Sequence, residues 1–409
     1  MTALFDLYRK AYHGLPREVW MISLIMLVNR SGTMVVPFMT IYLTSAEMGY
    51  SIGKAGIVLG VFGLGSILGG YLGGRLTDRI GHRSVQFYTL LGGGLLFILL
   101  GQVKAFSSIC VVTFFLSLVN EAFRPANAAS IALYSTDGNR TRSFSLNRLA
   151  VNLGWAVGGA LGGILASIDF SVLFYVDGIT NIAAALLLSR LLKPVDKAKQ
   201  HALRQLATGP IQSAYKDSVY LLFIFLTILF SICFFQMFST LSAYYKNEVG
   251  FSSLFIGILM AINGLLITFV EMLLVYKLEG KRSPTYYIIV GVFLVAVAYL
   301  LLNLVEVTHV VALVMMVLIT LGEIFSMPFM NSFWTSRSNN QNRGQYAGLY
   351  TIAWSIAHTC GPMVGAQIAQ TAGYRTLWWG VGGLGTLTSL GFVGLHIWSN
   401  KKDIRKKLS

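Results

Sequence analysis

Long runs of apolar residues alternate with short polar segments along almost the whole chain. Most runs reach about 20 residues, the length that an α-helix needs to cross the hydrocarbon core of a bilayer. Glycine, proline and charged residues separate the runs. The pattern predicts twelve membrane-spanning helices, which we number spans 1 to 12: residues 18–44, 52–74, 84–103, 107–134, 144–166, 172–192, 219–245, 252–276, 284–304, 309–334, 346–370 and 376–398.

The longest polar interruption divides these spans into six and six. It reads KPVDKAKQHALRQLATGPIQSAYKD, is charged and contains two prolines. We therefore expect an N-terminal six-helix bundle over residues 1–192, a linker over 193–217 and a C-terminal six-helix bundle over 218–409.

The two halves resemble each other at a nearly constant offset of 202 or 203 residues. A constant offset indicates a duplicated six-helix unit, the arrangement of transporters that rock two halves about a central site. The recurring features are Arg75-Leu76 as Lys277-Leu278, Glu121 as Glu323, Arg140 as Arg343, and Gly158 with Gly162 as Gly361 with Gly365.

The composition agrees with a membrane protein. Charged residues are 11% of the 409 and hydrophobic residues 55%, whereas charged residues are roughly 25% of an ordinary soluble domain. The expected fold class is an all-α membrane protein with two six-helix pseudo-repeat bundles.

The net charge of +15 is a topology signal. With the N-terminus in the cytoplasm, most of the 31 Lys and Arg residues fall in cytoplasmic segments, and the opposite side holds Lys54, Lys104, Lys246 and Arg375. The positive-inside rule then places both termini in the cytoplasm. Nucleic acid is therefore not an expected partner.

No pattern for catalysis or metal binding stands out. The three cysteines, Cys110, Cys233 and Cys360, lie in apolar runs and predict neither a disulfide framework nor a metal site. A nucleotide-binding loop and a nucleophile–base arrangement are also missing. We expect no enzyme activity, no metal and no cofactor.

The loop between spans 2 and 3 reads GGRLTDRIGHRSV. It resembles the signature loop of the major facilitator superfamily, G-x-L-x-D-R-x-G-R-R/K, with His82 where Arg is usual. In that family the aspartate and arginines brace the two halves in the outward-open state. The resemblance assigns this conformational role to a loop that contains Gly74, Asp78, Arg79, Gly81 and Arg83.

Span 5 carries glycines at small-xxx-small spacing, which allows helix backbones to touch. The stretch resembles the superfamily's antiporter motif, G-x-x-x-G-P-x-x-G-G, although a glycine stands where proline is usual. Plain helix packing explains the pattern equally well. The glycines are Gly154, Gly158, Gly159, Gly162 and Gly163.

The resemblance covers the whole chain and is greatest to the twelve-span drug:proton antiporters. It implies the major facilitator fold, a small-molecule substrate and alternating access. Some similarity to proton-coupled peptide symporters appears in spans 7 and 10, but their first-span motif E-x-x-E-R is missing, and span 1 offers only Asn29-Arg30.

Four ionisable residues lie near mid-membrane at a rise of about 1.5 Å per residue: Arg30, Glu121, Glu323 and His358. Such groups usually face a partner or a watery cavity. Glu121 and Arg124, at i,i+3 in span 4, share a helix face, and Arg30 competes for the same carboxylate. This predicts either a proton-coupling device or a static ion pair between spans 1 and 4.

Glu323 has no basic neighbour in span 10, which favours a proton or cation site; the alternative is a hydrogen-bonded packing residue. A lone histidine such as His358 is more often structural. We interpret Asp177 as structural. Glu271, towards the cytoplasmic end of span 8, is expected to lie at a solvated helix end, and the alternative is a proton exit. The expected substrate cavity contains Asn29, Tyr42, Phe123, Gln236, Met237, Phe238, Tyr244, Trp334 and His358.

The sequence thus predicts a proton-coupled antiporter that exports an amphipathic small molecule or drug. The alternatives are a proton symporter of a peptide-like or other small metabolite, and a non-transporting membrane receptor or scaffold. We expect a monomer in a bacterial inner membrane, with protons, a small-molecule substrate and the lipid bilayer as partners.

Overall fold

The computed structural model describes residues 2–43, 45, 47–192, 213–339 and 341–408. These residues are almost entirely α-helical and form no strand, which confirms the predicted all-α class. Most of the predicted linker lies outside the described residues, so its boundaries stay a prediction. Its final residues form a short 3₁₀ turn, Ala214–Lys216.

The helices of the first half follow the predicted spans closely. A separate N-terminal helix, Thr2–Tyr12, precedes span 1, and span 1 itself is broken into two helices. The bounds of spans 1 to 6 are Arg17–Ser31 with Val35–Leu43, Ile52–Ile80, His82–Leu100, Phe106–Tyr134, Arg140–Ile168 and Phe170–Leu191.

Two spans of the second half contain irregular turns. Span 7 is interrupted by a 3₁₀ turn, Gln236–Phe238, and span 8 by a π-helical segment, Ile267–Glu271. The helical bounds of spans 7 to 10 are Ser218–Phe235 with Thr240–Asn247, Ser253–Leu266 with Met272–Leu278, Pro284–Leu304 and His309–Arg337, and the run Arg343–Leu408 contains spans 11 and 12.

Nine helical stretches of the described residues are long and apolar enough to cross a membrane. One of them, Arg343–Asn400, covers spans 11 and 12. The two spans separate at Gly373, whose φ of 81° ends a right-handed helix and favours glycine. Together with span 1 and the helix Arg140–Ile168, these stretches account for the twelve predicted spans.

The chain divides into two compact units. We call Gly14–Ser213 with Ser338–Ile352 the N-unit. The C-unit consists of Met1–His13, Ala214–Arg337 and Ala353–Ser409. The N-terminal helix therefore belongs to the C-unit, and the beginning of span 11 belongs to the N-unit.

Close backbone packing shapes the N-unit. Gly65, Gly69 and Gly73 of span 2 lie directly against the backbone of span 4, where a Cβ atom would clash. The second helix of span 1, Val35–Leu43, belongs to an apolar cluster with residues of spans 2, 3, 4 and 6. This cluster includes Met34, Val35, Met39, Tyr42, Val58, Phe97, Leu116, Leu173 and Phe174.

Aromatic packing dominates the C-unit. Phe223 of span 7 contacts Phe333 of span 10 and Phe392 of span 12, and Tyr299 of span 9 stacks on Trp378 of span 12. Large rings bury much apolar area per residue, so they join the spans tightly without a polar partner.

Candidate functional site

An ion cluster lies inside the N-unit. Arg124 Nη1 is 3.0 Å from Glu121 Oε2, within span 4. Arg30 of span 1 lies within electrostatic range of both, so two guanidinium groups lie near one carboxylate. The cluster carries a net positive charge. The Glu121 side chain is 15% exposed and the Arg124 side chain 39%, which leaves the pair partly accessible.

The glycines of span 5 pack against span 1 at Arg30 and the residues that follow it. A Cβ atom at Gly154 would lie 2.5 Å from Arg30 Cβ, and one at Gly158 would lie 3.1 Å from the carbonyl oxygen of Ser31. Gly162 packs against Met34 and Phe38 in the same way. Glycine in this stripe therefore allows span 5 to contact the backbone of span 1 at the ion cluster.

For the other two glycines of the stripe, the structure describes no contact with span 1. Gly159 has no heavy atom within 4 Å of the place its Cβ would occupy, so it faces away from span 1. Gly163 belongs to the same helix, but its surroundings lie outside what the structure describes.

The break in span 1 follows Arg30 directly. Asp177 of span 6 accepts hydrogen bonds from the backbone N–H groups of Met34 and Val35, at the beginning of the helix Val35–Leu43. The Asn29 side chain donates to Asn181 Oδ1 at 2.8 Å. Spans 1 and 6 are thus joined by polar contacts on both sides of the break.

The C-unit contains a second polar cluster around Glu323. The Asn263 side chain of span 8 donates to Glu323 Oε2 at 3.1 Å and to Thr320 Oγ1 at 3.0 Å. Glu323 is only 7% exposed. The carboxyl group is therefore held between spans 8 and 10 by a neutral amide.

Gln236 organises the break in span 7. Its Nε2 donates to the carbonyl of Gly361 at 2.8 Å, and its Oε1 accepts from the Thr240 hydroxyl at 2.7 Å. A Cβ atom at Gly365 would overlap the Gln236 amide. The glycine pair Gly361 and Gly365 of span 11 thus contacts span 7 as its counterpart in span 5 contacts span 1.

An aromatic cluster lies beside this break. The Phe235 ring lies 4.9 Å from the His358 ring and 5.8 Å from Trp354. Phe238 packs on Phe234 and is 53% exposed. A groove of about 440 Å³ runs between spans 7 and 11, lined by Ser239, Thr240, Ala243, Pro362, Ala366, Ala369, Gln370 and Tyr374.

The remaining residues expected in a cavity lie deeper. Tyr42 packs on Phe174 and Phe170, and Tyr244 contacts Tyr374 and Trp378. The indole N–H of Trp334 donates to Asn331 Oδ1 at 3.1 Å. Phe123, Met237 and Trp334 are buried within their own units.

The loop between spans 2 and 3 fastens neighbouring helix ends. Asp78 accepts from the backbone N–H groups of Gly344 and Gln345, at 2.7 and 2.9 Å, where span 11 begins. Arg83 donates to the carbonyls of Leu192 and Ser189, where span 6 ends. A carboxylate therefore lies at a helix N-terminus and a guanidinium at a C-terminus, as the helix dipole favours.

The other loop residues have simpler roles. Gly74 packs against Gly344 and Gly348 of span 11, so no side chain fits there. Gly81, with φ of 88°, forms the turn between the two spans. Arg79 is exposed.

One expectation is wrong. Glu271 is 2% exposed and belongs to the π-helical segment of span 8, so it does not lie at a solvated helix end. The N-terminal helix covers this region: Tyr8 donates to the Phe269 carbonyl, and Tyr12 lies close enough to interact with Glu271. Burial and these neighbours raise the pKa of Tyr12.

Sequence reasoning also missed the partners of the charged residues. Asn263, Thr320 and Asn181 complete the polar clusters, yet each is a neutral residue in an apolar run. Their only signal was polarity within a span, which marks a functional or packing role in membrane helices.

Comparisons with known proteins agree with this architecture. A family model described as Major Facilitator Superfamily matches residues 19–359. The uncharacterized MFS-type transporter YttB of Bacillus subtilis (strain 168) is 24% identical over 377 residues, covering 89% of this chain and 91% of the relative. The tetracycline resistance protein, class C, of Escherichia coli is 22% identical over 352 residues, covering 84% of this chain and 87% of the relative.

A solved structure is also similar. The crystal structure of the human organic anion transporter MFSD10 (TETRAN) matches with a TM-score of 0.76 at 18% identity, over 92% of this chain and 100% of that one. At this identity the likeness shows the fold, and it confirms the fold expected from the sequence.

Proposed function

The chain belongs to the Major Facilitator Superfamily and is a transporter rather than an enzyme, and on that premise we propose that it exports an amphipathic small molecule in exchange for protons. Transport proceeds by alternating access. The observation that carries the proposal is the cluster of Arg30, Glu121 and Arg124, in which Glu121 pairs with Arg124 and lies within electrostatic range of Arg30.

A carboxylate that lies near two arginines can couple proton binding to a movement of the helices. Protonation of Glu121 removes its attraction for both arginines, and the two like charges then repel each other. Arg30 lies at the end of the helix Arg17–Ser31 and against Gly154, so its displacement acts on the contact between spans 1 and 5. Proton binding at Glu121 thereby moves span 1 against span 5.

Glu323 is the second candidate for proton binding. Its Asn263 partner donates a hydrogen bond and carries no charge, and a carboxyl oxygen can accept such a bond with or without a proton on the group. A cationic group of a substrate would compete with a proton at this position, which is the requirement for antiport.

The substrate is proposed to be amphipathic. Phe235, which lies beside His358, and the half-exposed Phe238 supply apolar surface, and the polar clusters supply charge. The tetracycline resistance protein among the relatives supports a drug-like substrate. The glycine stripe in span 5 is compatible with antiport, and equally with plain helix packing.

The signature loop supports alternating access. Asp78 and Arg83 attach the loop to the ends of spans 11 and 6 through charge-assisted hydrogen bonds. Such bonds form in one arrangement of the helices and break in another. The proposed orientation, from the Lys and Arg distribution, puts this loop and both termini in the cytoplasm. A monomer in a bacterial inner membrane remains our expectation.

The test is transport by the purified protein in vesicles that contain a pH-sensitive dye. Cationic, neutral and peptide compounds are added outside, and proton movement is recorded with compound uptake. Antiport predicts that protons leave as a compound enters. Glu121→Gln and Glu323→Gln are measured beside the wild type, and the variant that removes the coupled proton movement identifies the proton carrier.

Glu47→Gln is the matched control. Glu47 forms an ion pair of 3.0 Å with Lys104, and both side chains are more than half exposed, at 55% and 71%. Its loss should leave transport unchanged. If compounds bind but no protons move, proton antiport is wrong.

A second candidate is proton symport of a small metabolite that carries a carboxylate. The observation that favours it is the excess positive charge of Arg30, Glu121 and Arg124. Among the described residues, nothing accepts a hydrogen bond from the buried Nε of Arg30. Protons and compound would then enter together in the same assay. Binding without any transport would instead favour a receptor or scaffold.

A further inference from the structure

Span 6 contains a carboxylate that the coupling scheme above does not use. Asp177 is fully buried, at 0% exposure. Its Oδ1 accepts from the N–H of Met34 at 3.0 Å, and its Oδ2 accepts from Met34 at 3.1 Å and from Val35 at 2.9 Å. Val35 begins the outer helix of span 1, Val35–Leu43, and Met34 directly precedes it. The first N–H groups of a helix lack an acceptor within the helix; the N–H of Met34 also lies 3.0 Å from the carbonyl oxygen of Gly32.

Asp177 has no cation beside it. Among the described residues, no ion pair reaches this carboxylate, and Arg30, the closest cation along span 1, interacts with Glu121 and Arg124 instead. Span 6 packs against spans 1, 3 and 5. Besides Asp177, the titratable groups on these four spans are Arg17, Glu18, Arg30, Tyr42, His82, Arg83, Tyr88, Arg140, Arg142, Arg148, Tyr175 and Arg190. In its ionised form the carboxylate is therefore stabilised, within the part of the chain that the structure describes, by backbone N–H groups and the dipole of the helix that they begin.

The contact between Asp177 and span 1 lies at the break in that span, which we call the hinge. Gly32 lies so close to Thr180 of span 6 that no side chain fits there, and the helix Arg17–Ser31 ends immediately before it. Asp177 is the contact that fixes the direction of the chain after the break. A change in this carboxylate therefore acts first on the beginning of the outer helix, through Met34 and Val35.

Protonation changes what the carboxylate can accept. A proton on Oδ2 turns this oxygen into a donor, so the N–H groups of Met34 and Val35 must share Oδ1. The attraction between a negative charge and the helix N-terminus is lost at the same time. The two hydrogen bonds at the hinge cannot both persist at full strength.

We propose that Asp177 is a positioning residue that holds the hinge of span 1, and that a proton on its carboxylate releases the outer helix Val35–Leu43. The proposal deepens the proton-coupled function and rests on it for its physiological meaning. The hinge itself can be measured without any transport.

The C-unit offers an internal contrast. The break in span 7 is held by Gln236, a neutral amide that does not titrate. At the offset of 203 residues, the position corresponding to Asp177 is Gly380. A proton-sensitive hinge is therefore expected in span 1 and not in span 7.

The test is hydrogen–deuterium exchange of the reconstituted protein at pH 5 and pH 8, after correction for the intrinsic exchange rate. The backbone amides within residues 34–38, which are those of Met34, Val35, Val36 and Phe38 because Pro37 has no N–H, should exchange roughly tenfold faster at pH 5 in the wild type, as expected for the loss of about one hydrogen bond. The amides of residues 237–242, after the break in span 7, should not respond to pH. Equal protection of residues 34–38 at both pH values would overturn the proposal.

Two variants separate a proton switch from a purely structural contact. Asp177→Asn keeps one acceptor oxygen and cannot titrate, so exchange at residues 34–38 should be fast at both pH values. Asp169→Asn is the matched control, because Asp169 caps the exposed beginning of the same span through Ser171 at 2.7 Å. The control should keep the wild-type pH response, and a pH response that survives in Asp177→Asn would refute the switch.

The outcomes also separate this proposal from antiport. A hinge that responds to pH in a protein that moves no protons would keep the Asp177 switch and reject proton antiport. Proton-coupled transport with an unresponsive hinge would reject the switch alone. If Asp177→Asn does not fold, the wild-type comparison at the two pH values still decides.

Discussion

Gly154 in span 5 packs directly against Arg30 in span 1, and a methyl group at Gly154 would lie 2.5 Å from the Cβ atom of Arg30. The contact joins a glycine stripe, which by itself indicates only helix packing, to an arginine that lies within electrostatic range of Glu121 and Arg124. Arg30 therefore takes part both in the packing of span 1 on span 5 and in the ion cluster.

The first prediction concerns this contact. Gly154→Ala should lower stability by roughly 1–3 kcal/mol through overpacking and slow transport about tenfold by displacing Arg30. Thermal unfolding in detergent and the vesicle assay measure the two effects. Gly159→Ala is the control, because open space surrounds that position; equal effects of the two substitutions would show that the Arg30 contact is unimportant.

The second prediction concerns a buried ion pair of the C-unit. Arg337 binds both carboxylate oxygens of Asp217 at 2.9 Å and thereby joins the end of span 10 to the beginning of span 7. Asp217→Asn leaves a largely buried guanidinium without its charge partner, and unfolding should become easier by about 3 kcal/mol. The midpoint of thermal unfolding measures this, and Glu47→Gln should shift it little. A small shift for Asp217→Asn would mean that Arg337 finds another partner.

The third prediction concerns the signature loop. Asp78→Asn should weaken the attachment of the loop to Gly344 and Gln345 by about 1–2 kcal/mol, because the negative charge at a helix N-terminus is lost. The transport rate should fall while the protein remains folded. Glu47→Gln serves as control, since both side chains of the Glu47–Lys104 ion pair are more than half exposed. Unchanged transport in Asp78→Asn would argue against a conformational role for the loop.

The fourth prediction concerns the N-terminal helix. Tyr8→Phe removes the hydroxyl that donates to the Phe269 carbonyl in the π-helical segment of span 8. Since a π-helical segment disturbs the regular backbone pairing, this carbonyl benefits from an outside donor. The helix Thr2–Tyr12 should detach more often, and a protease should cleave near Gly14 several-fold faster. Tyr88→Phe, at an exposed tyrosine, should not change the cleavage rate.

The sequence by itself determined the class, the number of spans and most span bounds. The bilayer requires each spanning segment to be apolar over its whole length, because backbone and side chains there have no water to bind. Each segment meets this requirement by itself, so its apolar run can be recognised without knowing its neighbours. The signature loop was recognised for the same reason, because its glycines and charges are contiguous in the chain. Even the neighbourhood of Glu121 and Arg124 follows from helix periodicity alone.

Only the tertiary structure decided what the buried polar groups contact. Asp177 reaches Met34 across 143 positions of sequence, and Asn263 reaches Glu323 across 60. No local pattern encodes such pairs, because they depend on which helix faces meet. The burial of Glu271 was missed for this reason: its cover comes from Tyr8 and Tyr12 at the far end of the chain. A helix period predicts a face, but only the packed neighbours determine whether that face meets lipid, water or another residue.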